Sequence, residues 1–241
     1  MKRTDTPPAM DADALRKAIE WAILSRRSVR AFLPTPVPRE TVESILDVAR
    51  FAATGVNIQP WRVHVVTGHV KDRICAAIRR VNEDSAVDET CTDEWDYYPR
   101  EWISPYLERK RAVGWKLYGL LGIEKGDKER MQAQHSRNYQ FFDAPVGLFF
   151  TIDRVMQQGS LLDYGMFLQN IMIAARAHGL STCPQAAFMK YHKVIADQLR
   201  FETGERFVVG MSLGFADASR IENSLVTERA EVGSFTTFYS E

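Results

Sequence analysis

The residues best suited to chemistry stand together early in the chain. Positions 25–32 read Ser-Arg-Arg-Ser-Val-Arg-Ala-Phe, which sets Arg26, Arg27 and Arg30 beside two serine hydroxyls. Guanidinium groups bind phosphate oxygens through paired, charge-assisted hydrogen bonds, and Ser28 adds a neutral donor between them. In an extended backbone Arg26, Ser28 and Arg30 share one face. The competing account is that arginines after a helix only offset its negative C-terminal dipole. No Gly-x-Gly-x-x-Gly follows a strand and no Gly-x-x-x-x-Gly-Lys occurs, so side chains rather than a glycine-rich loop would hold a phosphate. His64, His69, His135, His178 and His192 lack metal-ligand spacing, so no metal site is expected. Cys183 has no evident base beside it and reads as an inert buried thiol.

The elements that must position these groups follow from apolar periodicity. Leu15, Ile19, Ala22 and Ile23 predict the buried face of a first helix, capped by Asp11 or Asp13 and ending near Ser25. Pro34, Pro36 and Pro38 keep the next stretch extended, and Pro38 suits the first position of a second helix. Its stripe is Val42, Ile45, Leu46, Ala49 and Ala53, and Gly55 is expected to end it. Positions 62–67 read as a strand, 145–152 as a central strand apolar on both faces, and 180–183 and 206–213 as two more. Helices are expected after Gly68, at 161–178 and at about 191–199. Ser160 with Asp163 resembles a capping box for the 161–178 helix, and Gly179 suits its end. Phe235 to Tyr239 form a short β-prone run that needs something to pair with.

In order and position, three segments resemble the FMN-dependent nitroreductase family, in particular its nitrobenzoate and nitroaromatic branch. They are the Arg-x-Ser-x-Arg element, Ala-Ala-Thr-Gly-Val-Asn-Ile-Gln-Pro-Trp at 52–61, and Leu-Ser-Thr-Cys-Pro-Gln-Ala-Ala at 180–187. The resemblance runs from about Leu15 to Phe238 and implies an α+β fold with a mixed central sheet flanked by helices. It implies a homodimer whose C-terminal tails are exchanged. It places Arg26, Arg27, Ser28, Arg30 and the late Arg229 at the FMN phosphate and ribityl chain. Thr54, Gly55 and Asn57 would approach the flavin from the neighbouring subunit, and Pro184, Gln185 and Ala186 would present backbone to its ring, with an N–H near Ala186 donating to N5. The acidic residue that some relatives carry in this last loop is missing. The implied activity is hydride transfer from NADH or NADPH through the flavin to a nitroaromatic, both substrates using one pocket in turn. No acid–base dyad is needed, because the flavin carries the chemistry. Other reductive chemistry on the same fold, such as dehalogenation or quinone and enone reduction, is the alternative, with a non-catalytic flavin-binding protein as a third.

From about 82 to 137 the pattern loosens while Trp95, Tyr97, Tyr98, Trp102, Tyr106, Trp115 and Tyr118 accumulate. A structureless connection of that length is uncommon, so a helical excursion from a single domain of 1–241 is expected. Tyr97, Trp102 and Tyr106 are candidates for a lid that stacks on a planar nitroarene, and simple packing of an inserted helical pair is the alternative. The chain balances 31 basic against 31 acidic residues, which argues against nucleic acid or an anionic membrane as partner. The N-terminal Met-Lys-Arg-Thr-Asp-Thr-Pro-Pro has no apolar run behind it, and no apolar stretch suffices for a membrane span. Three cysteines with no close pairing fit a reducing, cytoplasmic setting.

Overall fold

The structure, a computed structural model, describes residues 11–240. The N-terminal segment judged not to be a secretory signal lies outside the described residues. In chain order the elements are α1 (Ala12–Ser25), α2 (Arg39–Ala49), β1 (Trp61–Thr67), α3 (Gly68–Glu83), α4 (Ser85–Asp88), α5 (Tyr106–Leu120) and α6 (Lys128–Ser136). Then follow β2 (Val146–Asp153), α7 (Gln158–Ala177), β3 (Ser181–Gln185), α8 (His192–Leu199) and β4 (Glu205–Gly214). No helix among the described residues is long and apolar enough to cross a membrane.

The strands form one sheet in the order β1-β2-β4-β3. Every pair is antiparallel, which corrects the expected mixed sheet. The one parallel component is an isolated bridge between Ser28 and Thr182, with Val29 N–H donating to Thr182 O at 3.1 Å. The adjoining N–H, of Arg30, donates to the side chain of Asn223. β2 is central and buried along nearly its whole length, as its two-faced apolar sequence requires. Val146, Leu148, Phe150 and Ile152 face a core with α2 and α7, while Phe149 faces a second core with α3, α8 and the aromatic turn Arg137–Asp143. Two strand glycines admit aromatic rings: a Cβ at Gly147 would lie 2.4 Å from the Phe141 ring, and one at Gly210 2.5 Å from Phe188.

Several local expectations change. α1 contains no buried residue, and Ile19, Trp21, Ile23 and Leu24 are exposed, because among the described residues its main packing partner is α7 alone. α2 ends at Ala49 rather than near Gly55; Asn170 on α7 donates to the Ala49 carbonyl and fixes that end. The capping box does not form, since α7 starts at Gln158, Ser160 Oγ meets Met156 Sδ, and Asp163 is used elsewhere. Gly179 does follow α7 with a left-handed φ of +69°. The run from Phe235 to Tyr239 pairs with no strand among the described residues, and Phe235, Phe238 and Tyr239 are exposed.

Candidate functional site

The arginine segment leaves α1 in an extended conformation, and its side chains alternate. Arg26, Ser28 and Arg30 crowd one side, around the buried thiol of Cys183 on β3. Burial pushes that thiol up to about 11 despite the two cations and a hydrogen bond from Ser28, so Cys183 is no nucleophile at neutral pH. Arg27, grouped by sequence with the other phosphate ligands, turns to the opposite side. There it lines a cleft of about 450 Å³ with Ser25, Arg176 and Ser181, at the C-terminal ends of α1 and α7. Arg176 already serves those ends, donating to the Leu180 carbonyl and the hydroxyls of Ser25 and Ser181. On this side of the segment the guanidiniums stand at helix C-terminal ends, the placement that the dipole-offsetting account requires.

On the Cys183 side the charges are uncompensated. Burial and then the nearby cation of Arg229 hold Arg26 below the usual guanidinium range. Arg229 itself folds back on Thr227 and the Glu228 carbonyl, while Glu228 pairs with Lys116 of α5. Among the ion pairs of the described residues none contains Arg26, Arg30 or Arg229. The buried hydroxyl of Thr182, bridged to Ser28, also has no hydrogen-bond partner. Convergent cations without carboxylate partners fit an anionic ligand.

A clamp from the C-terminal part of the chain holds this segment. Asn223, buried, accepts the Arg30 N–H at 2.8 Å and donates to the carbonyls of Ala31 (2.8 Å) and Asp217 (2.9 Å). Its neighbour Glu222 is buried between Arg137 and Arg220. Burial raises the Glu222 carboxyl, but its own backbone N–H and the two guanidiniums outweigh this and leave it below the ordinary range. Sequence reasoning missed both residues, since nothing local in Ile-Glu-Asn-Ser-Leu marks a contact 193 residues away.

The loop after β3 is braced from within. Gln185 is buried; its amide donates to the Asn138 carbonyl at 2.8 Å and its oxygen accepts from Ser212 Oγ at 2.6 Å. Its side chain is thus unavailable to a ligand and leaves Pro184 and Ala186, both half-buried, to offer surface. Ala186 opens a 3₁₀ turn, Ala186–Tyr191, whose first N–H groups have no acceptor inside the turn. Arg137, Asn138 and Tyr139 serve internal contacts to Glu222, Gln185 and His135.

Two predicted groups are not brought to the arginines within this chain. Thr54, Gly55 and Asn57 form an outward loop in which Val56 (φ 45°), Asn57 (φ 60°) and Gln59 (φ 51°) adopt left-handed backbone and Val56 is 93% exposed. Such a conformation strains a β-branched residue, so surrounding contacts must hold it. Those contacts are Gly55 N–H to Asp163 (3.3 Å), Gln59 N–H to Thr54 Oγ1 (3.4 Å) and Gln59 Nε2 to the Asn57 carbonyl (3.1 Å). In the excursion, Trp95, Tyr97, Tyr98 and Trp102 form a chain of ring contacts, anchored where Trp95 donates to the Phe207 carbonyl. Lys110 covers the Trp102 ring at 4.2 Å, and Tyr106 stands outside this chain at the start of α5.

The nitroreductase family profile matches residues 23–215. The chain is 41% identical to a 4-nitrobenzoate reductase of Pseudomonas putida over 216 residues, covering 90% of this chain and 93% of the relative. It is 40% identical to a nitrobenzene nitroreductase of Ectopseudomonas oleovorans over 223 residues, covering 92% and 97%. Among solved structures, an FMN- and NADPH-dependent nitroreductase, NfnB, from a Sphigopyxis strain superposes with a TM-score of 0.89 at 33% identity, covering 92% of this chain and 99% of that one. With the sheet, the arginine segment and the braced loop all in place over that length, the chain belongs to the nitroreductase family.

Proposed function

We infer that this chain is an FMN-dependent oxidoreductase that uses NADPH or NADH to reduce nitroaromatic compounds. The carrying observation is the set of uncompensated cations, Arg26, Arg30 and Arg229, gathered beside Cys183 of β3. The names of relatives near 40% identity, acting on nitrobenzoate and nitrobenzene, supply the acceptor class. When bound, FMN supplies the hydride-accepting and hydride-donating chemistry. Arg26, Arg30 and Arg229 hold its phosphate, and Ser28 offers a hydroxyl to the adjoining chain of oxygens. Pro184 and the Ala186 N–H meet the ring, held in place by Gln185 through its internal brace. Protein groups need only bind and orient here, and no buried acid–base pair beside β3 is required.

The working unit in this proposal is a homodimer of one-domain subunits in a reducing, cytoplasmic setting, each subunit carrying the 82–137 excursion. Support comes from the exposed face of α1, the strained Thr54–Asn57 loop that reaches no site in its own chain, and the unpaired tail. The outer edge of β1 has no strand partner among the described residues, and a cleft of about 920 Å³ lies beside it between Val65, Thr67, Val42, Leu46 and Pro36. A partner's tail carrying Phe235 and Phe238 suits both the strand edge and the apolar cleft.

The test is direct. Purified protein should be yellow, release FMN on denaturation as identified by mass, and oxidise NADPH or NADH anaerobically in the presence of 4-nitrobenzoate or nitrobenzene. A protein that neither retains nor binds FMN would overturn the assignment.

A further inference from the structure

We propose that Asn223 is a positioning residue that sets the selectivity of this site for a phosphorylated flavin. The inference presupposes that the chain binds FMN. The cations facing the phosphate come from two segments far apart in sequence, Arg26 and Arg30 near the start and Arg229 near the end. Affinity for a phosphate depends on how these guanidiniums converge, because bidentate contacts are lost with small changes in separation and angle. Their relative placement needs a rigid link between the two segments. Asn223 is that link: from a buried position it grips Arg30 by its N–H and Ala31 by its carbonyl, and a third bond to the Asp217 carbonyl closes its own loop. Asp217 N–H adds a bond to the same Ala31 carbonyl at 3.0 Å.

Two further features fix the far side of the link. Glu222, adjacent to Asn223, is anchored to Arg137 and Arg220, and Leu225 is buried, so only three residues lie between the last fixed point, Leu225, and Arg229 on a short tether. Asn223 also takes the Arg30 N–H, the group next to the Val29 N–H that bonds β3. Without it the Arg30 backbone loses this anchor between its bonded neighbours Val29 and Phe32, and Arg30 moves relative to both Ser28 and Arg229. The predicted signature is specific to the phosphate end of the ligand, since Asn223 touches neither Pro184 nor Ala186.

The experiment measures dissociation constants of the purified apoprotein for FMN and for riboflavin, which lacks the phosphate, by fluorescence quenching. Wild type should prefer FMN strongly. Asn223→Ala should lower that preference by about tenfold or more, comparable to losing one charge-assisted contact, while riboflavin affinity changes little. In an Arg229→Ala background the further effect of Asn223→Ala should be much smaller, because the two act as one unit. General destabilisation would weaken both ligands equally and would overturn the proposal, as would a variant that keeps the full preference. Should Asn223→Ala fail to fold, Asn223→Ser is read in the same way, since it keeps one oxygen but cannot span both carbonyls. A wild-type protein that binds FMN no better than riboflavin would instead refute the phosphate assignment itself, so the two failures are distinguishable.

Discussion

The carboxylate of Asp163, in the second turn of α7, accepts the backbone N–H of Gly55 at 3.3 Å. A residue whose spacing from Ser160 suits a helix cap thus tethers an exposed loop from the far end of α2. In the proposed dimer that loop enters the neighbouring flavin site. Asp163→Ala should weaken FMN binding by a few-fold to about tenfold, a discounted share of a hydrogen bond to a charged acceptor at an exposed site. Asp163→Asn should retain most of the affinity. Fluorescence titration decides: unchanged binding in Asp163→Ala means that the loop holds its left-handed residues without help.

Arg26 is the half-buried cation nearest Arg229, and neither has a carboxylate partner among the described residues. Arg26→Ala should lower FMN affinity by roughly tenfold to somewhat over a hundredfold, given about 1.5–3 kcal/mol for a charge-assisted contact. The variant should fold and regain much of its turnover in excess FMN. Arg26→Lys should fall between, keeping charge without the planar fork. Wild-type FMN affinity in Arg26→Ala would return this residue to the dipole-offsetting role that Arg27 and Arg176 fill.

Glu222 makes the clamp sensitive to acid. Its carboxyl is raised by burial but brought below the ordinary range by its backbone N–H, Arg137 and Arg220. A depressed folded value means that its stabilisation is complete above the unfolded value of about 4.3 and is lost as pH falls through the lower folded value. Glu222→Gln should therefore be less stable than wild type at pH 7, by about 3 kcal/mol for breaking a buried pair. The gap should begin to narrow as pH falls below about 4.3 and go on shrinking until the lower folded value is passed. Thermal melts across that range test this, and a gap independent of pH would show that the charge is not what matters.

Trp102 carries Lys110 on one face at 4.2 Å and meets Tyr98 at 5.7 Å. If this aromatic chain closes over the acceptor, Trp102→Ala should change the ranking of 4-nitrobenzoate against nitrobenzene several-fold, since ring stacking contributes about 0.5–1.5 kcal/mol beyond burial. FMN content should stay constant. An unchanged ranking assigns the cluster to packing against β4 through Trp95.

The exposed faces predict assembly. Ile19, Trp21 and Leu24 on α1 and Phe235 and Phe238 in the tail should be covered in solution by a second copy. Sedimentation should show a dimer at all practical concentrations, and removal of residues 235–241 should weaken it. A flavin-loaded, active monomer would exclude the shared site.

Sequence legibility followed the range of the contacts. β2 was plain because a strand buried on both faces must be apolar throughout, and the alternation of Arg26, Ser28 and Arg30 followed from extended backbone alone. α1 looked like a core helix because its stripe is apolar, but a stripe does not say whether the covering surface belongs to the same chain. Asp163 was misjudged, and the brace made by the Gln185 side chain not foreseen, for a related reason: a carboxylate or an amide advertises hydrogen bonds but not their partners, here 108 and 27 residues away. Antiparallel pairing of β3 with β4 could not be read at all, since either direction suits the same alternation.

Gly210 pairs with Gln185 across the sheet, and the Phe188 ring occupies the space where a Cβ on Gly210 would stand. Phe188 belongs to the turn that Ala186 opens. The depth at which that turn sits is therefore set by a methyl group missing from the neighbouring strand. Replacing this glycine with a better strand former, an ordinary choice when stabilising a sheet, would lift the ring and tilt the loop above it. A change of one carbon on β4 would act as a fine adjustment screw on the loop proposed to face the flavin, without itself touching ligand.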